Sequence, residues 1–217
     1  MERGRSRFAD PLANLLAEFN PVLASRATAA APVLDGVLDE PAWKAAEPVT
    51  LGNTVNGKAT RRRTEVRFCH DATHLYVGAR VAAAPADAGP GAVDAIAVYL
   101  DPAKARQGYY RVTADRSGAV RDYRYIDHIQ LGAPDWRSGA RAAVAEGPDG
   151  YGLELAIPFE ALGVAAGGPA GAEWGALAAR TQAAPSEPQD RESTSSLLLR
   201  GKLEQPGVFN ALRFKTP

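Results

Sequence analysis

From Thr64 onward the chain alternates apolar and polar residues at period two. In Thr64–His70, Val66 and Phe68 point one way and Glu65, Arg67 and Cys69 the other. After the turn residues Asp71-Ala72-Thr73, the residues Leu75, Val77, Ala79 and Val81 share a face, with Tyr76 and Arg80 opposite, so 64–81 reads as a hairpin. Residues 93–100 give another strand, with Ile96, Val98 and Leu100 together and Asp101-Pro102 as its break. Residues 109–114 and 119–125 are strands joined by the turn Asp115-Arg116-Ser117-Gly118. Residues 140–146 and 151–157 flank the turn Gly147-Pro148-Asp149-Gly150. Residues 158–162 form a helical turn closed by Gly163, and 173–181 and 209–214 are the last strands. Residues 82–91, 127–138 and 183–196 read as loops.

The beginning of the chain has a different period. Phe8, Leu12, Leu15, Leu16, Phe19 and Leu23 recur at helical spacing, which predicts an amphipathic helix over 9–18, ended by Pro21. Residues 24–31 read as a small-residue linker, so 1–30 form a helix-and-linker segment and 31–217 a domain. Nine or ten short strands with turn signals between them predict an all-β fold, an antiparallel β-sandwich of two packed sheets with short helical turns.

One stretch departs from both periods. Val33-Leu34-Asp35-Gly36-Val37-Leu38-Asp39-Glu40-Pro41-Ala42-Trp43 reads as an extended piece, a tight turn at Asp35-Gly36 and a one-turn helix. Asp39 is the expected N-cap, and Glu40-Pro41 fit the positions after it. The helix presses Trp43 into a core.

Composition narrows the function. With 25 basic against 25 acidic residues in 217, no charge excess points to nucleic acid or an anionic membrane. No run of 18 apolar residues marks a membrane span. One cysteine, Cys69, excludes an intrachain disulfide and reads as a small buried hydrophobe. The N-terminus lacks the apolar region of a signal peptide.

The 33–46 stretch resembles the opening signature of the carbohydrate-binding module family 9 domains, "DG-x-LDEPAW-x-x-A". Further blocks follow in order: Thr64–Phe68 with Leu75–Val81, Asp94–Pro102, Tyr110-Arg111-Val112 with Gly118, Leu155–Phe159, Trp174-Gly175 with Arg180, and Gly201 with Phe209–Phe214. The resemblance implies a non-catalytic, DOMON-like β-sandwich appended to a larger glycoside hydrolase or other glycan-active enzyme. It also implies a secreted, extracellular or periplasmic setting, and sometimes structural calcium. A structural or docking domain without sugar binding, held to its neighbours by the N-terminal helix, is the alternative.

Sugar binding needs an aromatic face and planar polar groups. Trp43 and Trp174 read as core, and Trp136, in a polar loop, is the exposed candidate. Arg121, Tyr123 and Tyr125 share one strand face by alternation and form a candidate platform, with Tyr109 beside it and Asp127 and His128 at the loop edge. An ordinary solvated sheet face is the other reading of these residues. For calcium, Asp35, Asp71, Asp94 and Asp101 offer oxygens, although each also suits a turn or strand end. Cys69, His70 and His74 lack a fourth zinc ligand, and no His or Met is placed as a haem axial ligand. No nucleophile elbow, HExxH or phosphate loop is present.

Overall fold

The computed structural model describes residues 21–54, 63–83, 93–127, 132, 134–165, 167–182, 192–195, 203 and 206–216. The expected 9–18 helix lies outside these. Thirteen strands occur among the described residues: β1 (Leu23–Ala27), β2 (Val49–Thr50), β3 (Asn53–Thr54), β4 (Thr64–His70), β5 (His74–Ala82), β6 (Asp94–Asp101), β7 (Tyr109–Asp115), β8 (Val120–Tyr125), β9 (Arg141–Gly147), β10 (Gly150–Pro158), β11 (Glu173–Gln182), β12 (Glu192–Thr194) and β13 (Asn210–Phe214). The all-β expectation holds. Ten of the strands form one hydrogen-bonded path, β8-β7-β6-β11-β13-β1-β4-β5-β10-β9, with β2, β3 and β12 attached beside it, where two separate sheets were expected.

The path curls until its ends nearly meet. Arg116, in the β7–β8 turn, donates to Glu146 on β9 at 2.7 and 2.6 Å, joining opposite ends of the strand order. The enclosed core draws on both halves: Val98 and Val112 from one, Val77, Leu153 and Leu155 from the other, with Trp174 between Phe159 and Phe214.

Residues 24–31 are not a linker. Their first part belongs to β1, which pairs in parallel with both β13 and β4 and so completes the middle of the sheet. Leu23 and Ser25 are wholly buried, and the Ser25 hydroxyl lies 2.9 Å from His70 Nδ1. Leu-Ala-Ser-Arg-Ala lacks β-branched residues, and Leu23 also fits the preceding helical period, so the strand is set by its neighbours rather than by propensity.

Several local readings hold. β4 and β5 pair antiparallel from Thr64↔Val81 to His70↔Leu75, and Gly163 closes the 3-10 turn Glu160–Leu162 at φ 74°. The short helix is Pro41–Ala45, with Glu40 as its N-cap in place of Asp39 and no side-chain cap bond. It covers the second face of β5. Trp43, Leu38, Cys69, Tyr76 and Ala156 form a separate small core there.

Candidate functional site

The helix seat is built by one carboxylate. Glu154, wholly buried on β10, accepts the amides of Asp35 and Gly36 at 2.9 and 2.7 Å and the Trp43 indole N–H at 2.6 Å. Gly36 sits at φ +84°, and a Cβ there would lie 2.2 Å from the Ala145 amide nitrogen, so the turn needs glycine. Burial pushes the Glu154 carboxyl above its usual range, against the three donors that favour its ionised form.

The calcium candidates separate. Asp71 accepts from Thr73, the His74 amide and the Tyr76 hydroxyl. Asp94 is taken by Arg180, which donates to both its oxygens at 2.8 Å and also to Thr64 and the Ala82 carbonyl. Asp101 accepts the amides of Ala105 and Arg106. Asp35 alone joins a carboxylate cluster, its oxygen within 4.8 Å of ones from Glu40 and Glu154. Cys69 and His70 face opposite sides of β4. Cys69 joins the small core, its thiol pushed up to about 12 mainly by burial. His70 bonds Ser25 with its pKa lowered by burial, and His74 stacks on Tyr76. Among the described residues no zinc set converges.

The tyrosine platform assembles. Register places Tyr125 opposite Tyr109, Tyr123 opposite Arg111 and Arg121 opposite Thr113. All project from the sheet face turned away from the main core. The Tyr109 and Tyr125 rings stack at 4.5 Å and 11°. Tyr109 also meets Tyr99 on β6 and Phe209, at 5.9 and 5.7 Å. The Arg111 guanidinium lies 4.4 Å from the Tyr123 ring centre and 5.7 Å from that of Tyr125. Tyr109 and Tyr99 are buried, and Tyr123 and Tyr125 are half-buried, so the last two present the accessible aromatic surface.

Trp136 does not join them. It packs on Tyr110, on the core side of β7, with ring centres 5.0 Å apart, and donates its indole N–H to the Ala161 carbonyl at 3.1 Å. Asp127 is half-buried just beyond Tyr125, and His128 lies outside the described residues. Arg111 and Tyr99 were not singled out from the sequence. Pairing across the 115–118 turn would have placed Arg111 beside Tyr123.

An open surface of aromatic rings and guanidinium groups on a sheet face is the kind of surface that a binding module presents to a ligand. Residues 34–181 match the family described as "Carbohydrate family 9 binding domain-like", and the chain belongs to that family. A comparison with curated proteins gives no match. Among solved structures, a family 9 carbohydrate-binding module from Caldicellulosiruptor kristjanssonii in complex with glucose is similar, with TM-score 0.65 and 16% identity over 90% of this chain and 96% of that one. A family 9 module from the same organism in complex with cellotriose aligns with TM-score 0.64 and 17% identity, over 90% and 93% of the two chains.

Proposed function

We propose that this chain is a non-catalytic carbohydrate-binding module that takes a mono- or oligosaccharide on the Tyr123–Tyr125 surface. The observation that carries the reading is that surface itself. Two tyrosines stand out of the main core, backed by Tyr109 and flanked by Arg111 and Arg121. A pyranose offers an apolar C–H face to a ring and hydroxyls to guanidinium donors. The solved family members in complex with glucose and cellotriose support the same ligand class. On this reading the module tethers a larger secreted, glycan-active enzyme, raising its local concentration at the substrate.

Calcium fits the same reading at Asp35, Glu40 and Glu154. Glu154 is occupied by three N–H donors, but Glu40 Oε2 is buried without a hydrogen-bond partner. Carboxylate oxygens alone suit a hard cation. Calcium there would brace the 33–46 turn, and a chelator would then lower the melting temperature.

The test is retention on insoluble polysaccharides and affinity electrophoresis in soluble ones, for the parent and for Tyr123→Ala and Tyr125→Ala. Loss of retention in both variants, with melting still cooperative, supports the reading. Undiminished retention moves the site elsewhere, and retention on no glycan favours a docking domain.

A further inference from the structure

Two cavities meet at Tyr123. One, of about 180 Å³, lies over the outer sheet face and is lined by Tyr99, Arg111 and Thr113 among others. The second, of about 550 Å³, lies between β8 and the 134–140 loop and is lined by Asp122, Pro134 and Arg137. Arg121 and Tyr123 line both, which makes one continuous recess of them.

Several cations elsewhere have a carboxylate partner: Arg63 with Glu65, Arg116 with Glu146, Lys104 and Arg213 with Glu173, and the buried Arg180 with Asp94. Arg121 makes no hydrogen bond or close ion pair among the described residues, and its charge reaches Asp115 only through space. Arg137 donates to the carbonyls of Pro134 and Trp136, at 3.0 and 2.8 Å, which orient the guanidinium, and among the described residues no carboxylate is paired with it. The two carboxylates in the recess are already engaged. Asp122 accepts the amide and hydroxyl of Ser138 at 2.6 and 2.7 Å. Asp115 accepts the Ser117 amide and hydroxyl and the Ala119 amide, and those bonds hold it ionised against its burial.

Resting on the sugar-binding reading, we propose that the preferred ligand is a carboxylate-bearing glycan, a uronic-acid polymer. One sugar ring lies at Tyr123, and carboxylates of the chain meet Arg121 and Arg137. A guanidinium donates two parallel N–H bonds to a carboxylate, a geometry that neutral hydroxyls do not match.

Methyl esterification tests this, because it removes the charge and keeps the sugar backbone. Retention is measured on polygalacturonate, on its methyl ester and on neutral cello-oligosaccharides. The acid form is expected to bind about tenfold or more tightly than the ester, from the strength of a charge-assisted hydrogen bond. The preference should fade in about 0.5 M salt. Arg121→Gln and Arg137→Gln should each lower the acid-to-ester ratio, and Arg121→Lys should restore part of it. Both side chains are exposed, so these variants should stay folded, which melts of each check. Equal binding of acid and ester, with neutral glycans still retained, overturns this proposal and leaves the sugar reading standing. Retention of no glycan overturns both.

Discussion

The Trp43 indole donates its N–H to Glu154 at 2.6 Å, across 111 residues of chain. That bond ties the helix and its entering turn to β10, deep in the sheet. Replacing Glu154 by Gln keeps the shape but turns an NH2 group toward the amides of Asp35 and Gly36 or toward the Trp43 indole N–H, whichever its carbonyl does not face. A loss of about 1–3 kcal/mol is expected, since buried donors are left unmatched. The pH dependence has a definite sign. The folded-state pKa of Glu154 is raised from 4.5, mainly by burial, so the native state holds the proton more tightly than the unfolded chain. Its contribution to stability is full below the unfolded value and is lost as pH rises through the folded one. Urea denaturation from pH 4 upward should show that slope in the parent and not in Glu154→Gln.

Gly152 faces the same turn. A Cβ there would sit 2.1 Å from the Gly36 carbonyl oxygen, a backbone atom that cannot move aside. Gly152→Ala should cost about 1–3 kcal/mol by overpacking. Gly207, whose added Cβ would meet nothing within 4 Å, is the control and should tolerate alanine. Thermal melts of both variants check the contrast.

What could be read before folding follows from how local each feature is. The hairpin 64–81 was legible because Val66, Phe68, Leu75, Val77, Ala79 and Val81 alternate strictly and Asp71 supplies the turn. The Arg121-Tyr123-Tyr125 face was legible for the same reason. β1 was not, because Ala24 and Ser25 show no strand preference and only pairing with β4 and β13 makes them one. The packing of Trp136 could not be read from the polar loop around it. Its burial depends on Tyr110 and on the Ala161 carbonyl, contacts that no local window contains.

The Arg180–Asp94 pair is bidentate and about 2% exposed on both sides, and Arg180 also reaches Thr64 and the Ala82 carbonyl. It therefore joins β11 and β6 to β4 and β5 across the fold. Removing either partner strands a buried charge, so Asp94→Asn and Arg180→Met should each cost about 3–5 kcal/mol. The double variant should cost less than the sum of the two, because neither charge is then left alone. Chemical denaturation of the four-member cycle measures that coupling.

The platform and Trp136 make opposite predictions for binding and stability. Tyr125 stacks at 4.5 Å on Tyr109 and faces outward, so Tyr125→Ala removes accessible ring area and uncovers its neighbour. Glycan affinity should fall about tenfold, from a lost aromatic contact of about 1–1.5 kcal/mol. Trp136→Phe keeps the ring against Tyr110 and deletes only the bond to Ala161, on the core side of β7. It should lower stability by about 1 kcal/mol, the worth of one hydrogen bond, and leave glycan retention at the parent level. Calorimetric titration with the glycan that the parent retains, beside melts of both variants, separates the two effects. A Trp136→Phe variant that melts like the parent and no longer binds would place the sugar on the indole instead of on the tyrosines.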